Sequence, residues 1–456
     1  MLSDVNDRNG YLNKTFSCSC GRVHKTSLKS INLEKGAARA LAARIISDGY
    51  RCPLIVADRN TWSAAGGFIE PELKKAGITY RLHILPGEEI HPDEYFTGSV
   101  LMACDPKTDL LVAAGSGSIN DICRFVSFRM GLPYYIFGTA PSMDGFASNV
   151  AAMTTNQMKI TYPAQTPERI FLDPDILADA PAVLIQAGFG DILGKFTCLA
   201  EWKISSLVTD EYYCPEIASL TAKARDQSVS LCEGLARRDH ESLIRLTDAL
   251  ILSGIAMSYA GTSRPASGSE HHLSHFWEMR WLAEEKNALL HGIKVGIGTV
   301  VSLKLYELLK DLSPDFAQIR RRTLPAADGA WEAEIRRAFG PAADDVIALE
   351  HRTQKNGRER RLRRIERLEA RWSEIMTVIR SLPDVLTAEQ YLRTVGNPVR
   401  PAQVGLDRQI VLDSILYAKE VRDRYTILQL LWDLGLLEEF ARTTTDFLFE
   451  SEIGTK

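Results

Sequence analysis

The sequence predicts an α/β N-terminal domain with a parallel, Rossmann-like sheet, followed by an all-α C-terminal domain. Two observations carry this prediction. Between residues 35 and 140, short apolar runs alternate with amphipathic helical stretches, as in successive βαβ units. After the proline-rich passage DPDILADAP (173–181), strand patterns cease and long helical patterns take over. We therefore place the boundary between two domains, 1–180 and 181–456.

The N-terminal elements follow from short apolar runs that end in turn residues. The strands are expected in PLIVAD (53–58), YRLHILPG (80–87), DLLVAAGSGS (109–118) and PYYIFGTAPS (133–142). Helices are expected in the intervening EPELKKAG and INDICRFVSFRMG, the second of which has apolar residues at helical spacing. In such an open parallel sheet, ligands bind beyond the carboxyl ends of the strands.

Composition limits the class of protein. The 456 residues suffice for two cores, and 45% hydrophobic with 25% charged residues is typical of soluble globular chains. A net charge of −4 gives no reason to expect nucleic acid as a partner. We find no secretory N-terminus and no apolar run near the ~20 residues of a membrane span. Most of the eight cysteines lie in apolar surroundings, which is typical of reduced thiols in a cytoplasmic protein. The basic stretch 355–372 is interpreted as a solvated helix face.

A cysteine-histidine cluster, FSCSCGRVH, lies near the N-terminus. Cys18, Cys20 and His24 could be ligands of a structural zinc ion, but C-x-C is not the usual spacing and a fourth ligand is missing. The interpretation that we favour here is a strand followed by a turn at Gly21.

Polar turns follow three of the predicted strands. In GSGSIND (115–121), glycines allow close approach of a ligand, and the N–H groups of the following helix favour a phosphate. The dinucleotide fingerprint is incomplete because position 120 is Asn. GTAPSMDGFAS (138–148) provides a second polar turn, and Asp58 ends another strand. Each could merely cap its turn, but three polar strand ends together favour a nucleotide.

The helical half contains a carboxylate and several imidazoles. Asp191 lies in AGFGDILGK, interpreted as a glycine-rich helix start, and His291 precedes a glycine-spaced helix. In SGSEHHLSHF, His271 and His275 share one helix face while His272 points elsewhere. Asp191, His271 and His291 could bind a catalytic divalent metal, although their separation in sequence fixes no geometry. An N-cap and packed core histidines are the alternatives.

Five motifs in order carry a family resemblance: GSGSIND, TAPSMDG, AGFGDILGK, SRPASGSEHHLSH and LHGIKVGIG. They resemble the sn-glycerol-1-phosphate dehydrogenases, most closely the bacterial (AraM-type) branch. This family belongs with glycerol dehydrogenase, iron-containing alcohol dehydrogenases and dehydroquinate synthase. The FSCSCGRVH opening and the late YAKEVRDRY stretch also resemble the bacterial branch, so the likeness covers most of the chain.

The resemblance implies a role for each matching residue. It implies that the first domain binds NAD(H) or NADP(H) through Asp58, Gly115, Ser116, Gly117, Ser118, Ile119, Thr139, Ala140, Pro141, Ser142 and Ser148. It implies that Asp191, His271 and His291 in the second domain bind one divalent metal, zinc or nickel. Asp144, Asp191 and His275 are the implied substrate-binding and catalytic residues, Asp121 would lie near the substrate, and His272 has no role. Family members are cytoplasmic homodimers.

The implied reaction is NAD(P)H-linked reduction of dihydroxyacetone phosphate to sn-glycerol 1-phosphate. A proton would come through metal-bound water or a histidine such as His275, whose ordinary pKa suits the task. Lys159, Arg264 and Lys294 are candidate partners of the substrate phosphate, with surface charges as the alternative. The alternative functions are a polyol dehydrogenase, a cyclase like dehydroquinate synthase, and a catalytically idle scaffold or regulatory protein.

Overall fold

A computed structural model of the chain describes residues 8–155, 158–284, 286, 289–322 and 328–450. Its strands are β1 (Thr15–Ser17), β2 (Val23–Lys25), β3 (Ser30–Leu33), β4 (Pro53–Ala57), β5 (Arg81–Ile84), β6 (Leu110–Gly115), β7 (Tyr134–Gly138), β8 (Val150–Thr155), β9 (Met158–Pro163) and β10 (Arg169–Leu172). The α-helices are α1 (Ala37–Ser47), α2 (Arg59–Lys75), α3 (Glu94–Ala103), α4 (Gly117–Met130), α5 (Pro174–Asp179), α6 (Ala182–Leu193), α7 (Lys195–Thr209), α8 (Pro215–Ser230), α9 (Cys232–Ala236), α10 (His240–Ala260), α11 (Ser269–Ala283), α12 (His291–Leu309), α13 (Phe316–Arg321), α14 (Gly329–Phe339), α15 (Ala343–Thr353), α16 (Arg358–Arg380), α17 (Val385–Val395), α18 (Arg408–Tyr417), α19 (Ile427–Leu434) and α20 (Leu437–Glu450). Short 3-10 helices cover Arg8–Tyr11, Gly340–Ala342, Pro401–Val404 and Ala418–Val421.

The central sheet is parallel, as predicted. Six strands pair in the order β3-β10-β7-β6-β4-β5, and every pairing is parallel. All residues of β4, β6, β7 and β10 are buried, which explains why their sequences are continuous apolar runs rather than alternating ones. The sequence prediction of β4 to β7 and of α4 is confirmed.

The strand order reverses next to β4. The chain passes from β4 to β5 on one side and then returns to β6 on the other side. A reversal of this kind opens a crevice at the carboxyl ends of the two inner strands, where nucleotides bind in doubly wound folds. Asp58 follows β4 and Ser116 follows β6, so both lie at this crevice.

The proline-rich passage is more than the connection that the sequence suggested. Within residues 163–181, β10 (Arg169–Leu172) pairs with β7 on one side and with β3 on the other. The run RIFL is only four residues long, and its partners are distant in sequence, so local pattern does not distinguish it from a loop. The passage therefore contributes a fully buried strand and the short helix α5.

The chain divides into two compact units. The first contains 1–192 and 215–266, and the second contains 193–214 and 267–456. This division differs from the predicted boundary after residue 180, because α8 to α10 belong to the unit with the sheet. There α10 packs against α8, α5 and β2.

No strand follows Leu172 in the part of the chain that the structure describes, so the prediction of a helical second half is confirmed. The basic stretch 355–372 was interpreted as a solvated helix face, but two of its arginines are buried. Arg361 and Arg364 on α16 are buried, and Arg364 makes two hydrogen bonds of 2.7 Å to the carboxylate of Asp433. Two described segments, 182–209 and 240–260, are long and apolar enough to cross a membrane, contrary to expectation, but both are mostly buried inside the protein, as core helices are.

Candidate active site

The turns after β6 and β7 lie side by side. Gly115 and Gly138 are register partners at the ends of these strands, and the Thr139 N–H donates to the Gly115 carbonyl at 3.2 Å. Ser116 precedes the first residue of α4, and its hydroxyl contacts the Ser142 hydroxyl and the Ala140 carbonyl. The structure thus joins the two predicted cofactor segments, 115–119 and 139–142, at the amino end of a helix, a position suited to a phosphate.

Asp58 follows β4 and is the N-cap of α2. Its carboxylate accepts from the Thr61 N–H at 2.7 Å, and the Thr61 hydroxyl accepts from the Asp58 N–H at 2.9 Å. This is the capping role that the sequence left open, and it fixes the carboxylate at the crevice beside β6.

Asp144 and Asp191 are neighbours in the first unit. Asp191 is fully buried, and its carboxylate accepts from the Asp144 N–H at 3.0 Å. The Asp144 carboxylate in turn accepts from the Ser253 hydroxyl at 2.8 Å. Asp191 lies near the end of α6 (Ala182–Leu193), so its prediction at a helix start is wrong. Gly188 of AGFG serves packing instead, since a Cβ on Gly188 would lie 2.9 Å from the carbonyl carbon of Pro141.

A buried arginine fixes the loop that carries Asp144. Arg124 on α4 is 1% exposed and donates to the carbonyls of Gly145, Phe146 and Val150. It also forms an ion pair of 2.6 Å with Asp121. Asp121, predicted near the substrate, is therefore bound to this arginine.

Ser148 lies in the same loop. Its hydroxyl donates to the Val150 carbonyl at 3.2 Å and accepts from the Val150 N–H at 3.1 Å. The serine is 2% exposed, so its hydroxyl shapes the loop locally.

In the second unit, His271 is oriented by a carboxylate. Its Nδ1 lies 2.8 Å from Oε1 of Glu270. Burial acts to raise the pKa of Glu270, but hydrogen bonds from His271, Thr197 and Gly268 outweigh it and hold the pKa below its usual value. An ionised carboxylate at Nδ1 keeps the proton there and leaves Nε2 with its lone pair, as in carboxylate–histidine–metal arrangements.

Three imidazoles lie close together in this unit. The ring centroid of His271 is 5.0 Å from that of His291 and 6.3 Å from that of His275, and His275 is 6.0 Å from His291. Nitrogens of His271 and His291 are within 4.8 Å of each other. The close approach of α11 and α12 depends on Gly298, since a Cβ there would lie 2.6 Å from the Glu270 carbonyl oxygen.

His275 does not have the ordinary pKa that was expected of it. Burial lowers the pKa of His275 to about 3, against the effect of Glu278, whose carboxylate lies 3.7 Å from Nδ1. Its Nε2 lies 3.3 Å from Nη2 of Arg422. The ring is therefore neutral at neutral pH, because a buried imidazolium beside a guanidinium is unfavourable.

His272 has no ring contact with these three imidazoles among the described residues. It is fully buried, and its two ring nitrogens have no hydrogen-bond partner among the described residues. Burial, together with Arg422 and Arg424, lowers the pKa of His272 well below its usual value.

Two of the three candidate phosphate partners are not surface charges. Arg264 is 1% exposed and Lys294 is 2% exposed, and Lys294 forms an ion pair of 3.3 Å with Glu278. The side chain of Lys159 lies outside the described residues.

Sequence reasoning missed three residues that shape these groups. Glu270 stands next to His271 in SGSEHH but carries no motif of its own, since an adjacent carboxylate is common on helices. Neither Arg124 nor Arg422 was predicted to have a role of its own, because an isolated arginine in a helix or loop is normally exposed. The YAKEVRDRY stretch, matched only by resemblance, was the one available signal for Arg422.

Comparison with known proteins extends these observations. A family model described as iron-containing alcohol dehydrogenase matches residues 32–181. The chain is 32% identical over 438 residues to a protein of Bacillus licheniformis named glycerol-1-phosphate dehydrogenase, NAD(P)+, covering 95% of this chain and 96% of that protein. A protein of Geobacillus thermodenitrificans with the same name is also 32% identical, over 92% and 96% of the two chains. In fold, the chain is similar to glycerol dehydrogenase from Schizosaccharomyces pombe, with a TM-score of 0.60, 14% identity and coverage of 94% and 93%.

Proposed function

Because the chain belongs to the NAD(P)+-dependent glycerol-1-phosphate dehydrogenase family, we propose that it reversibly reduces dihydroxyacetone phosphate to sn-glycerol 1-phosphate with NAD(P)H. The observation that carries this function is the 32% identity along nearly the whole length of both chains. The fold agrees, since the solved structures of similar shape include glycerol and alcohol dehydrogenases.

We propose that the cofactor binds at the crevice between β4 and β6. The segments 115–119 and 139–142 would hold its phosphates, with Asp58 beside the ribose of the adenosine. Support comes from their common place at the carboxyl edge of the sheet and from the helix start at α4. The nicotinamide supplies or accepts the hydride when it is bound.

We propose that His271, His291 and Asp191 bind the divalent metal. The donor chemistry fits, because Glu270 holds His271 in the tautomer whose Nε2 can coordinate. His291 begins α12 with a ring nitrogen within 4.8 Å of one of His271, and Asp191 is a buried carboxylate. One carboxylate and two imidazoles suit zinc or nickel. These three residues would hold the ion, which would supply Lewis-acid polarisation of the substrate carbonyl.

Within the first unit, Asp144 is the proposed substrate contact. Its carboxylate is held by Ser253, its N–H by Asp191, and its loop by Arg124. Three such constraints fix the carboxylate before substrate arrives, which lowers the entropy lost on binding a hydroxyl group.

His275 and Arg422 are the proposed contacts to the phosphorylated end of the substrate. Burial lowers the pKa of Arg422 to about 10, which still leaves the guanidinium protonated at neutral pH. A guanidinium is well suited to a phosphate because its donors match two oxygens at once. The neutral ring of His275 accepts from Arg422 through Nε2, so its single N–H is at Nδ1, from which it can donate to a hydroxyl or phosphate oxygen.

NAD(P)H oxidation by zinc- or nickel-loaded protein with dihydroxyacetone phosphate tests the proposal, followed by determination of the product's stereochemistry. We expect sn-glycerol 1-phosphate. Formation of the 3-phosphate enantiomer, or no turnover, would overturn the assignment. Net consumption of NAD(P)H also separates it from a cyclase, which restores its cofactor in each cycle. Faster turnover of an unphosphorylated polyol would favour a polyol dehydrogenase, and inactivity of the metal-loaded protein on all such substrates would favour an idle scaffold.

We further propose that the protein is a cytoplasmic homodimer, as the family resemblance implies. Light scattering coupled to size-exclusion chromatography would give twice the chain mass if this is correct, and the chain mass if the protein is a monomer.

A further inference from the structure

A second cluster of metal-ligating side chains lies in the N-terminal hairpin of the first unit, formed by β1 and β2. Cys18, Cys20 and His24 each offer a ligand atom, and these atoms lie within 4.8 Å of one another. Within the cluster, the Cys20 sulfur lies 3.3 Å from Nε2 of His24. Two thiols and an imidazole at this spacing are the donors that a soft divalent cation prefers.

The turn of the hairpin brings the two thiols to the histidine. The ladder ends where Ser17 pairs with Val23, and the Cys18 N–H then donates to the Arg22 carbonyl at 3.0 Å. The Gly21 N–H donates back to the Cys18 carbonyl at 3.0 Å, with Gly21 at φ 84°. The C-x-C spacing, unusual for a zinc knuckle, is compensated by this tight turn.

A hydrogen bond at Nδ1 orients the ring of His24 for coordination through Nε2. Its Nδ1 lies 2.9 Å from the carbonyl oxygen of Tyr259 on α10. A carbonyl can only accept, so Nδ1 carries the proton and Nε2 presents its lone pair toward Cys20. The ring is 1% exposed and lies 5.2 Å from the ring of Phe16. A metal-bound histidine usually donates a hydrogen bond from the ring nitrogen that does not bind the metal.

We propose that Cys18, Cys20 and His24 bind a zinc-class divalent cation, distinct from the metal of the proposed active site. The three groups supply two thiolates and one neutral imidazole, and their deprotonation on binding releases the thiol protons to solvent. The ion joins the hairpin to α10 through His24 and Tyr259. Its role is structural, because the ligands belong to a short hairpin fixed on a core helix.

Metal content of the purified full-length protein, measured by mass spectrometry after zinc loading, tests the site. We expect Cys20→Ser to contain about one zinc ion per chain fewer than the unchanged protein, with the active-site ion retained. His271→Ala should lose the other ion and keep this one. Cys232→Ser, which changes a cysteine at the start of α9 outside the hairpin, is the matched control and should keep both.

Cobalt substitution of the unchanged protein gives a readout that does not depend on a variant folding. Thiolate ligation produces a near-ultraviolet charge-transfer band, which the nitrogen and oxygen ligands of the proposed active site do not produce. We expect this band, and we expect bound zinc to protect Cys18 and Cys20 from alkylation. Absence of the band, equal zinc content in Cys20→Ser and the unchanged protein, or a Cys18–Cys20 disulfide in zinc-loaded protein would each overturn the proposal.

Discussion

The contact between α11 and α12 at Gly298 offers a sharp test of how the imidazole group is built. A Cβ at this position would lie 2.6 Å from the carbonyl oxygen of Glu270 and 3.1 Å from its Cα. Ordinary van der Waals contact begins at 3.4 Å, so Gly298→Ala requires the helices to separate by about 0.8 Å. The obstacle is backbone, which cannot rotate away as a flexible side chain can.

The cost of this separation can be estimated. Overpacking of a tight contact destabilises by about 1–3 kcal/mol, and the better helix propensity of alanine returns only about 0.5–1 kcal/mol. For a unit of this size, each kcal/mol lowers the melting temperature by roughly 2–4 °C. The net loss is about 0.5–2 kcal/mol, so we expect the melting temperature of Gly298→Ala to fall by roughly 1–8 °C in scanning calorimetry.

The same change should weaken metal binding. His271 follows Glu270 on α11 and His291 begins α12, so the helices cannot separate without moving one ring from the other. Metal–ligand distances tolerate only about 0.2 Å, so we expect at least a tenfold loss of affinity in a chelator competition assay. Gly67→Ala in α2 is the control, because a Cβ there meets no atom within 4 Å and should raise stability slightly. Unchanged melting temperature and metal affinity in Gly298→Ala would refute the reasoning.

Three further predictions concern the same unit. Glu270→Gln removes the negative charge beside Nδ1 of His271, so metal affinity should fall by about 10–100-fold in chelator competition. An unchanged affinity would show that the carboxylate does not determine the orientation and tautomer of the His271 ring. Arg422→Met should lower kcat/KM for dihydroxyacetone phosphate by about 10–100-fold, because a charged hydrogen bond to the phosphate is lost. Turnover of unphosphorylated dihydroxyacetone should be unchanged. Equal losses on both substrates would exclude a phosphate contact. The folded pKa of His275 is about 3 and that of His272 is also lowered, so the unfolded chain binds more protons below the ordinary pKa of 6.5. The stability of metal-free protein should therefore decline as pH falls from 6.5 toward 3, and His272→Leu should flatten the dependence of melting temperature on pH; an identical slope in the variant would contradict the assignment.

Much of the fold follows from local sequence. The runs PLIVAD, DLLVAAGSGS and PYYIFGTAPS predict β4, β6 and β7, because a strand buried on both faces must be apolar at every position. The turns that follow them identify the candidate cofactor edge, because in a parallel sheet all carboxyl ends lie on one side. These properties depend on residues close together in the chain, so a single sequence contains them.

The site was predictable only in part. Helical spacing separates His271 and His275 from His272. The rings of His271 and His275 are in contact, whereas the ring nitrogens of His272 have no hydrogen-bond partner among the described residues. The position of Asp191 near the end of α6 was not predictable, since AGFGDILGK has glycines that suit a helix start equally well. Gly188 instead allows close packing of α6 on Pro141, which lies about 50 residues away in the chain.

Sequence alone determined the βα alternation, the polar strand ends and the facing histidines. Only the tertiary structure decided that β10 completes the sheet, that Arg124 holds the loop of Asp144, that Glu270 orients His271, and that His275 is neutral. The physical reason is the range of the interactions. Periodicity and turn chemistry act between neighbours in the chain, whereas burial and the pairing of charges depend on which distant segments remove a group from water.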